Sequence, residues 1–174
     1  MSGPEISEPE AAGDTAADHA TEKPSAEFVH ADDPDHPGWR TWTLSDPTRF
    51  NSLLGKMLVR RDGDLARVRM FPGHVHTNLM GNVHGGALLG FIDVSLFAGA
   101  RVFGLIDAGA AVTLDLSVQF IGGGRSNEPL DSEVELLRET GRLLFLRGIV
   151  HQAHGKVAAF AGTVRKPSPK RTAP

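Results

Sequence analysis

The sequence predicts an α+β protein in which one buried helix packs against an antiparallel sheet. The segment from residue 84 to residue 101 is apolar on nearly every side, which is typical of a buried helix. The segments after it have the composition of strands and are separated mostly by short turns, which join antiparallel neighbours. Because a single sheet of five or six strands cannot enclose such a helix, we expect a partner subunit to cover the remainder.

Strands are expected on both sides of the helix. Before it, Lys56–Arg61 and Leu65–Phe71 are joined at Asp62-Gly63, a strong hairpin signal. After it, Val112–Phe120 alternates apolar and polar residues over nine positions, and Gly122–Gly124 ends this strand. Three more strands are predicted near Leu130–Glu139, Arg142–Gln152 and Lys156–Arg165.

The chain of 174 residues fits one domain with tails. Residues 1–38 are acidic and rich in Pro and Ala, so we expect a disordered tail there. Residues 39–54 form a connector with a short helix over Ser45–Leu54, capped by Ser45 or Asp46. The main domain spans residues 55–166, and residues 167–174 form a basic tail. We expect Trp39 and Trp42 of the connector to dock on the domain.

Composition excludes several classes of function. The absence of cysteine rules out disulfides, zinc–thiolate sites and thiol catalysis. The net charge of −3 divides into −9 for residues 1–38 and +6 for the rest, which suits a polyanionic ligand or only a solvated surface. We expect no nucleic acid, because basic residues are scattered and no recognition motif occurs. No signal peptide or membrane span is expected, so the predicted location is cytoplasmic.

Asp93 is the carboxylate inside the apolar helix and the first candidate for chemistry. Its sequence neighbours are apolar, so we expect it to be at least partly buried. Burying an unpaired charge costs several kcal/mol unless the group is neutralised, and such a residue seldom serves stability. The alternative is a core carboxylate paired with Arg101 or Ser95.

The residues His76–Asp93, HTNLMGNVHGGALLGFID, followed by Val112–Phe120, VTLDLSVQF, resemble the hot-dog fold acyl-CoA thioesterases. The similarity is greatest to the phenylacetate-degradation type and to 4-hydroxybenzoyl-CoA thioesterases, and it covers roughly residues 55–166. The resemblance implies a long central helix wrapped by a curled antiparallel sheet. It also implies dimers with two active sites at the subunit interface, and we expect these dimers to pair into a tetramer.

The resemblance also assigns roles to residues. Asp93 acts as nucleophile or general base, and the Gly85 amide forms the oxyanion hole. His84 orients the loop, Asn78 positions the thioester or the attacking water, and Thr113 bonds to water or to Asp93. Further contacts with substrate or CoA are expected from Gly86, Leu79, Met80, Phe91 and Arg125.

Physical reasoning agrees with two of these assignments. Gly85 opens the helix, so its unpaired N–H and the helix dipole favour a developing oxyanion. Asp93 lies eight residues further on, about 12 Å along the axis at 1.5 Å per residue. One thioester cannot touch both, so each site should combine Gly85 of one subunit with Asp93 of another.

Several alternatives remain at this stage. His84 caps the helix, Asn78 stabilises a turn, and Thr113 belongs to the polar face of a strand in the simpler interpretations. Histidines 74, 76 and 84 with Asp93 suggest a metal site, but no known ligand spacing is matched, and we expect no metal. The glycines before Arg125 are a plain turn or a contact with the CoA diphosphate.

The expected function is hydrolysis of an acyl-CoA thioester to a carboxylic acid and CoA, with no cofactor because CoA is part of the substrate. One alternative is a hot-dog hydratase or dehydratase, which usually combines a catalytic histidine with the carboxylate. Another is a non-catalytic protein that binds acyl-CoA. No motif in the sequence indicates which acyl group the substrate carries.

Overall fold

The computed structural model describes residues 28–106 and 111–167, so the predicted tail segments 1–27 and 168–174 lie outside the described residues. The described part contains one long helix, α1, over Gly85–Val102, and two short 3-10 helices over Phe50–Leu54 and His74–His76. Its strands are β1 (Phe28–Val29), β2 (Arg40–Thr41), β3 (Thr43–Leu44), β4 (Met57–Asp62), β5 (Leu65–Met70), β6 (Val112–Phe120), β7 (Leu130–Glu139), β8 (Leu143–Gln152) and β9 (Gly155–Arg165).

The main sheet has seven antiparallel strands in the order β2-β4-β5-β7-β8-β9-β6. The prediction of an α+β protein with an antiparallel sheet is confirmed, although the sheet exceeds the five or six strands expected. The additional strand is β2, a two-residue piece of the connector that pairs with β4. Strands β1 and β3 form a separate two-stranded sheet.

Helix α1 packs across one face of the main sheet. Phe91, Ile92 and Leu96 are fully buried, and they join a core that includes the inward side chains of β5. Glycines allow close approach: a Cβ on Gly99 would lie 2.9 Å from a Val134 methyl group. The sheet therefore covers one side of the helix at short range.

The opposite side of α1 remains partly uncovered. Leu89 is 40% exposed, and Gly90, Asp93 and Phe97 are half-buried, at the spacing of one helix face. By length and hydropathy alone α1 could cross a membrane, a property that core helices of globular proteins share, and half of it is buried inside the fold. This uncovered stripe carries the candidate catalytic carboxylate.

Two local predictions need correction. The short helix expected over Ser45–Leu54 is a 3-10 helix that begins only at Phe50, and Gly55 ends it with φ of 70°. Asp46 does not cap that helix, because its carboxylate instead accepts hydrogen bonds from Thr48 and Arg49.

The hairpin between β4 and β5 also turns one residue later than predicted. Asp62 pairs with Leu65, so the two turn residues are Gly63 and Asp64, and Gly63 supplies the positive φ at the first position.

The connector docks on the domain as predicted, with Trp39 and Trp42 both buried. The guanidinium groups of Arg60 and Arg69 each lie over the Trp39 ring, 4.7 Å from its centroid. The predicted tail boundary at residue 38 is too late, because residues 28–38 include β1 and a buried carboxylate, Asp33.

Asp33 joins the connector to the start of β4. Its carboxylate lies 2.6 Å from the Lys56 ammonium group and 2.8 Å from the His36 ring. The hydrogen bonds from Lys56 and His36 lower the pKa of Asp33 to about 2. The ionised form of Asp33 is therefore favoured in the folded state.

Candidate active site

The start of α1 is organised by His84, which lies at the N-cap position. The Gly86 N–H donates a 2.9 Å hydrogen bond to Nδ1 of the His84 ring. This cap uses the Gly86 amide, so the predicted contact of that amide with substrate is not available while the cap is formed. The Gly85 N–H has no acceptor among the described residues. Only one of the two glycine amides is thus free to bind an oxyanion.

A short hairpin over residues 77–83, called the active-site hairpin below, leads into the helix. Thr77 pairs with Val83, and the Asn78 N–H donates to the carbonyl of Asn82. The side-chain oxygen of Asn78 accepts the N–H groups of Met80 (2.9 Å) and Asn82 (3.2 Å). Asn78 therefore stabilises the turn, as the simpler interpretation held, and its side-chain NH₂ group has no acceptor within the described part of the chain.

A surface depression lies beside this hairpin. Its lining includes Asn78, Leu79 and His84, together with neighbouring residues of the same loop. Leu79 is fully exposed and Met80 is 85% exposed at the hairpin tip. Three of the predicted site residues therefore share one open surface at the amino end of α1.

Asp93 and Thr113 form a second group, about two helical turns from the first. The Thr113 hydroxyl donates a 2.6 Å hydrogen bond to Oδ1 of Asp93. Asp93 is half-buried rather than buried, so part of the carboxylate faces the uncovered side of α1. The alternative pairing with Ser95 is wrong, because the Ser95 hydroxyl donates to the Phe91 carbonyl at 2.8 Å. No ion pair joins Asp93 to Arg101 among the described residues.

A β-bulge in β6 explains why Thr113 reaches Asp93. Thr113 pairs with Val164 and Asp115 with Thr163, so Leu114 is an extra residue on this strand. The inward face of β6 therefore changes from odd to even positions at Leu114. The simpler interpretation, in which Thr113 only belongs to the polar face of a strand, is therefore wrong, and the hydrogen bond to Asp93 that the resemblance implied is present.

The surface around Asp93 is apolar. One turn before it, the Phe50 ring packs on Gly90, where its atoms lie 3.0 and 3.1 Å from the position that a Cβ would take. Leu89 is exposed on the same side, and Phe50 is 60% exposed. Sequence reasoning missed Phe50 because its contact with Gly90 depends on how the 3-10 helix over Phe50–Leu54 packs against α1.

Two predicted ligand contacts have other placements. Phe91 is fully buried in the core, so its burial does not support a contact with substrate. Arg125 is exposed, and its guanidinium lies 3.3 Å from Glu128. The segment before Arg125 has a bend at Gly122, with Gly124 buried against Val83, and the turn itself lies after Arg125, at residues 126–127.

Two buried polar side chains near the site had no predicted role in catalysis. His76 accepts the Gly73 N–H at Nδ1 and bonds the Leu53 carbonyl through Nε2 at 2.7 Å. Both ring nitrogens are occupied by the backbone, which leaves His76 no lone pair for a metal. Gln152 bonds to both backbone polar groups of Arg125. A polar residue at a strand end gives no sequence signal for such a contact.

Comparisons with known proteins agree with this architecture. Residues 80–159 match the thioesterase superfamily profile. The E. coli PaaI protein from the phenylacetic acid degradation operon is 20% identical, with a TM-score of 0.57, over 66% of this chain and 86% of that chain. A hypothetical thioesterase from Streptococcus pneumoniae TIGR4, solved with coenzyme A, is 21% identical, with a TM-score of 0.57, over 68% and 93%. Thioesterase superfamily member 2 from Mus musculus is 18% identical, with a TM-score of 0.56, over 67% and 86%.

None of the curated proteins compared with the chain matches its sequence. The long helix on an antiparallel sheet and the solved relatives place the chain in the class of hot-dog fold proteins. Within that class, the match of residues 80–159 to the thioesterase superfamily agrees with the resemblance carried by His84-Gly85-Gly86 and Asp93.

Proposed function

We propose that this protein hydrolyses an acyl-CoA thioester to a carboxylic acid and free CoA. The observation that carries the proposal is the Asp93 carboxylate, half-buried in an apolar helix face and hydrogen-bonded by Thr113. Its second oxygen has no hydrogen-bond partner among the described residues, and a carboxylate held at one oxygen by a neighbouring hydroxyl suits general-base or nucleophilic catalysis. The reaction needs only water as co-substrate and no separate cofactor.

The Gly85 amide supplies the other half of the chemistry. When the thioester carbonyl is attacked, negative charge develops on its oxygen, and a preorganised N–H at a helix start stabilises that charge. Asp93 either removes a proton from the attacking water or attacks the carbonyl itself to form a mixed anhydride that water then hydrolyses. In both routes the C–S bond breaks, and the sulfur leaves as CoA thiolate that takes up a proton.

The two groups must come from different subunits. Residues 85 and 93 lie on one continuous helix, so they are separated by about 12 Å along its axis. In a dimer with twofold symmetry, Asp93 of each subunit meets Gly85 of the other, which creates two identical sites. We therefore propose a homodimer as the smallest active unit, and pairing of dimers into a tetramer.

The exposed surfaces of the chain support such a dimer. Strand β6 pairs only with β9 among the described residues, so its other edge is open for a second copy. Leu114 and Phe120 on this strand are more than half exposed, and Phe120 lies next to Gly85. The open edge and the uncovered stripe of α1 are therefore the proposed dimer contacts.

The substrate is proposed to lie with its acyl group against Leu89 and Phe50 and its nucleotide toward basic residues. The apolar surface beside Asp93 suits an aryl or medium alkyl chain. Leu79 and Met80 at the hairpin tip add apolar contacts, and exposed Arg125 is the proposed contact for the CoA phosphates. A cytoplasmic location, where acyl-CoA is formed and used, is part of this proposal.

The direct test incubates the purified full chain with a panel of aryl- and alkyl-CoA esters and a thiol reagent. We expect catalytic release of CoA from at least one ester. On that ester the Asp93→Asn variant should retain the fold and lose about 10²–10⁴-fold in kcat. Binding without CoA release would favour the non-catalytic alternative, and hydration of an enoyl ester without release would favour the hydratase.

A further inference from the structure

His76 holds the beginning of the active-site hairpin to two other segments. Because a carbonyl oxygen can only accept, the bond to Leu53 requires the proton to be on Nε2, which leaves Nδ1 as the acceptor for Gly73. The backbone carbonyl of His76 also accepts the His84 N–H at 2.7 Å. The buried residue His76 thus connects the 3-10 helix over Phe50–Leu54, the loop before the hairpin and the N-cap of α1.

Gln152 holds the opposite side of the same hairpin. Its side-chain oxygen accepts the Arg125 N–H at 2.7 Å, and its NH₂ group donates to the carbonyls of Arg125 and Glu128 at 2.9 and 3.0 Å. The segment held in this way binds the hairpin directly, because the Val83 N–H donates to the Gly124 carbonyl at 2.7 Å. Asn82 also forms a β-bridge with Arg125.

The partners of both side chains explain why they are polar in a buried position. His76 and Gln152 are 8% and 5% exposed, and within the described part of the chain every side-chain hydrogen bond that they form is with backbone groups. Replacing either with an apolar residue leaves backbone groups without partners, which favours movement of the segments that carry them. Such movement would displace residues 83 and 84, and with them the N–H of Gly85, the next residue.

We propose that His76 and Gln152 are positioning residues that hold the active-site hairpin from two sides and thereby fix the Gly85 N–H for the oxyanion. This inference rests on the proposed function. Misplacement of a catalytic group by about 1 Å costs on the order of 10²-fold in rate. Loss of either residue should therefore reduce kcat by about 10- to 100-fold.

The test compares His76→Leu, Gln152→Met and the conservative variant His76→Gln, whose amide keeps a donor for the Leu53 carbonyl. His30→Leu is the matched control, because its ring also bonds a backbone carbonyl, that of Thr41, but in the connector. Hydrogen exchange of residues 77–88 is measured beside kcat and KM.

We expect amide exchange in residues 77–88 to rise about tenfold in His76→Leu and Gln152→Met while exchange in β7–β9 is unchanged. His76→Gln should recover most of the protection and of kcat, and His30→Leu should change neither. Unchanged exchange and kcat in both apolar variants, or equal changes in the control, would overturn the proposal. If the wild type hydrolyses no ester, the proposed function fails, whereas the exchange data still decide whether these residues hold the hairpin.

Discussion

Thr113 Oγ1 lies 2.6 Å from Asp93 Oδ1, so a hydroxyl on the edge strand fixes one oxygen of the candidate catalytic carboxylate. The two residues are 20 positions apart and meet only because the bulge at Leu114 turns Thr113 toward the helix. The hydrogen bond leaves Oδ2 as the oxygen available to water or to the thioester carbon. The hydrogen bond from Thr113 thus orients the Asp93 carboxylate, which could adopt several rotamers on the helix without it.

We expect loss of the Thr113 hydroxyl to lower kcat about 10- to 100-fold, because a hydrogen bond to a charged group contributes about 1.5–3 kcal/mol. Thr113→Val removes the hydroxyl and keeps the shape, whereas Thr113→Ser retains the donor. On the best ester, the kcat of Thr113→Ser should therefore be close to that of the wild type, and the kcat of Thr113→Val should be well below it. Equal kinetics for the two variants would show that this hydrogen bond has no part in catalysis.

The proposed contact between Arg125 and the CoA phosphates predicts a dependence on salt. Exposed ion pairs are screened at high ionic strength, so the KM for acyl-CoA should rise with salt while kcat changes little. Arg125→Gln should raise KM and weaken the salt response, and Arg147→Gln, an exposed arginine paired with Glu135, is the control. A pantetheine thioester, which lacks the nucleotide, should show no salt response. The same KM and salt response for both esters would contradict the contact.

Asp33 predicts how acid affects stability. Hydrogen bonds from Lys56 and His36 hold its pKa at about 2, below the ordinary value of 3.8. A lowered pKa in the folded state stabilises the fold above about pH 4, and this contribution is lost as the pH falls toward 2. Asp33→Asn should thus lower Tm at pH 7, and the difference from the wild type should shrink below pH 4.

The exposed neighbour Asp35, 3.7 Å from the same lysine, provides the control variant Asp35→Asn, which should change Tm less. Thermal unfolding followed by circular dichroism at several pH values checks both variants. A difference in Tm for Asp33→Asn that stays constant down to pH 2 would contradict this role of Asp33.

Helix α1, the core strands and the His84 cap could be predicted from sequence because each depends on local periodicity and composition. Residues 85–102 are apolar at helical length, and β7 and β8 are bounded by turn residues. The capping role of His84 follows from its place directly before two glycines. These features need no knowledge of distant contacts.

Residue periodicity does not predict the orientation of Thr113, which only the family resemblance implied, and nothing in the sequence predicted the roles of His76 and Gln152. All three depend on pairing between distant segments. A bulge is defined by the partner strand, and the alternating residues of β6 contain no sign of it. Apart from the Gly73 N–H, three positions from His76, the backbone groups that His76 and Gln152 satisfy lie 23 to 27 positions away in the chain. A histidine near other histidines instead suggested a metal site.

The central claim is that each active site combines Gly85 of one subunit with Asp93 of the other. Gly85→Pro removes the amide with little other disturbance. Proline is favoured at the first position of a helix, and among the described residues a Cβ there meets only Phe120, at 3.5 Å. The preceding residue, His84, is already extended with ψ of 139°, as a residue before proline requires. This variant and Asp93→Asn should each fold and be nearly inactive.

The decisive measurement mixes these two inactive variants under conditions that allow subunit exchange and follows thioester hydrolysis with time. A heterodimer has one site with both the Gly85 amide and the Asp93 carboxylate intact, so activity should return to about a quarter of the wild-type value at equal mixing, since half of the dimers are mixed and each has one of two sites. Each variant alone should stay inactive under the same treatment. No recovery of activity, with mixed dimers demonstrated by mass spectrometry, would contradict the shared site.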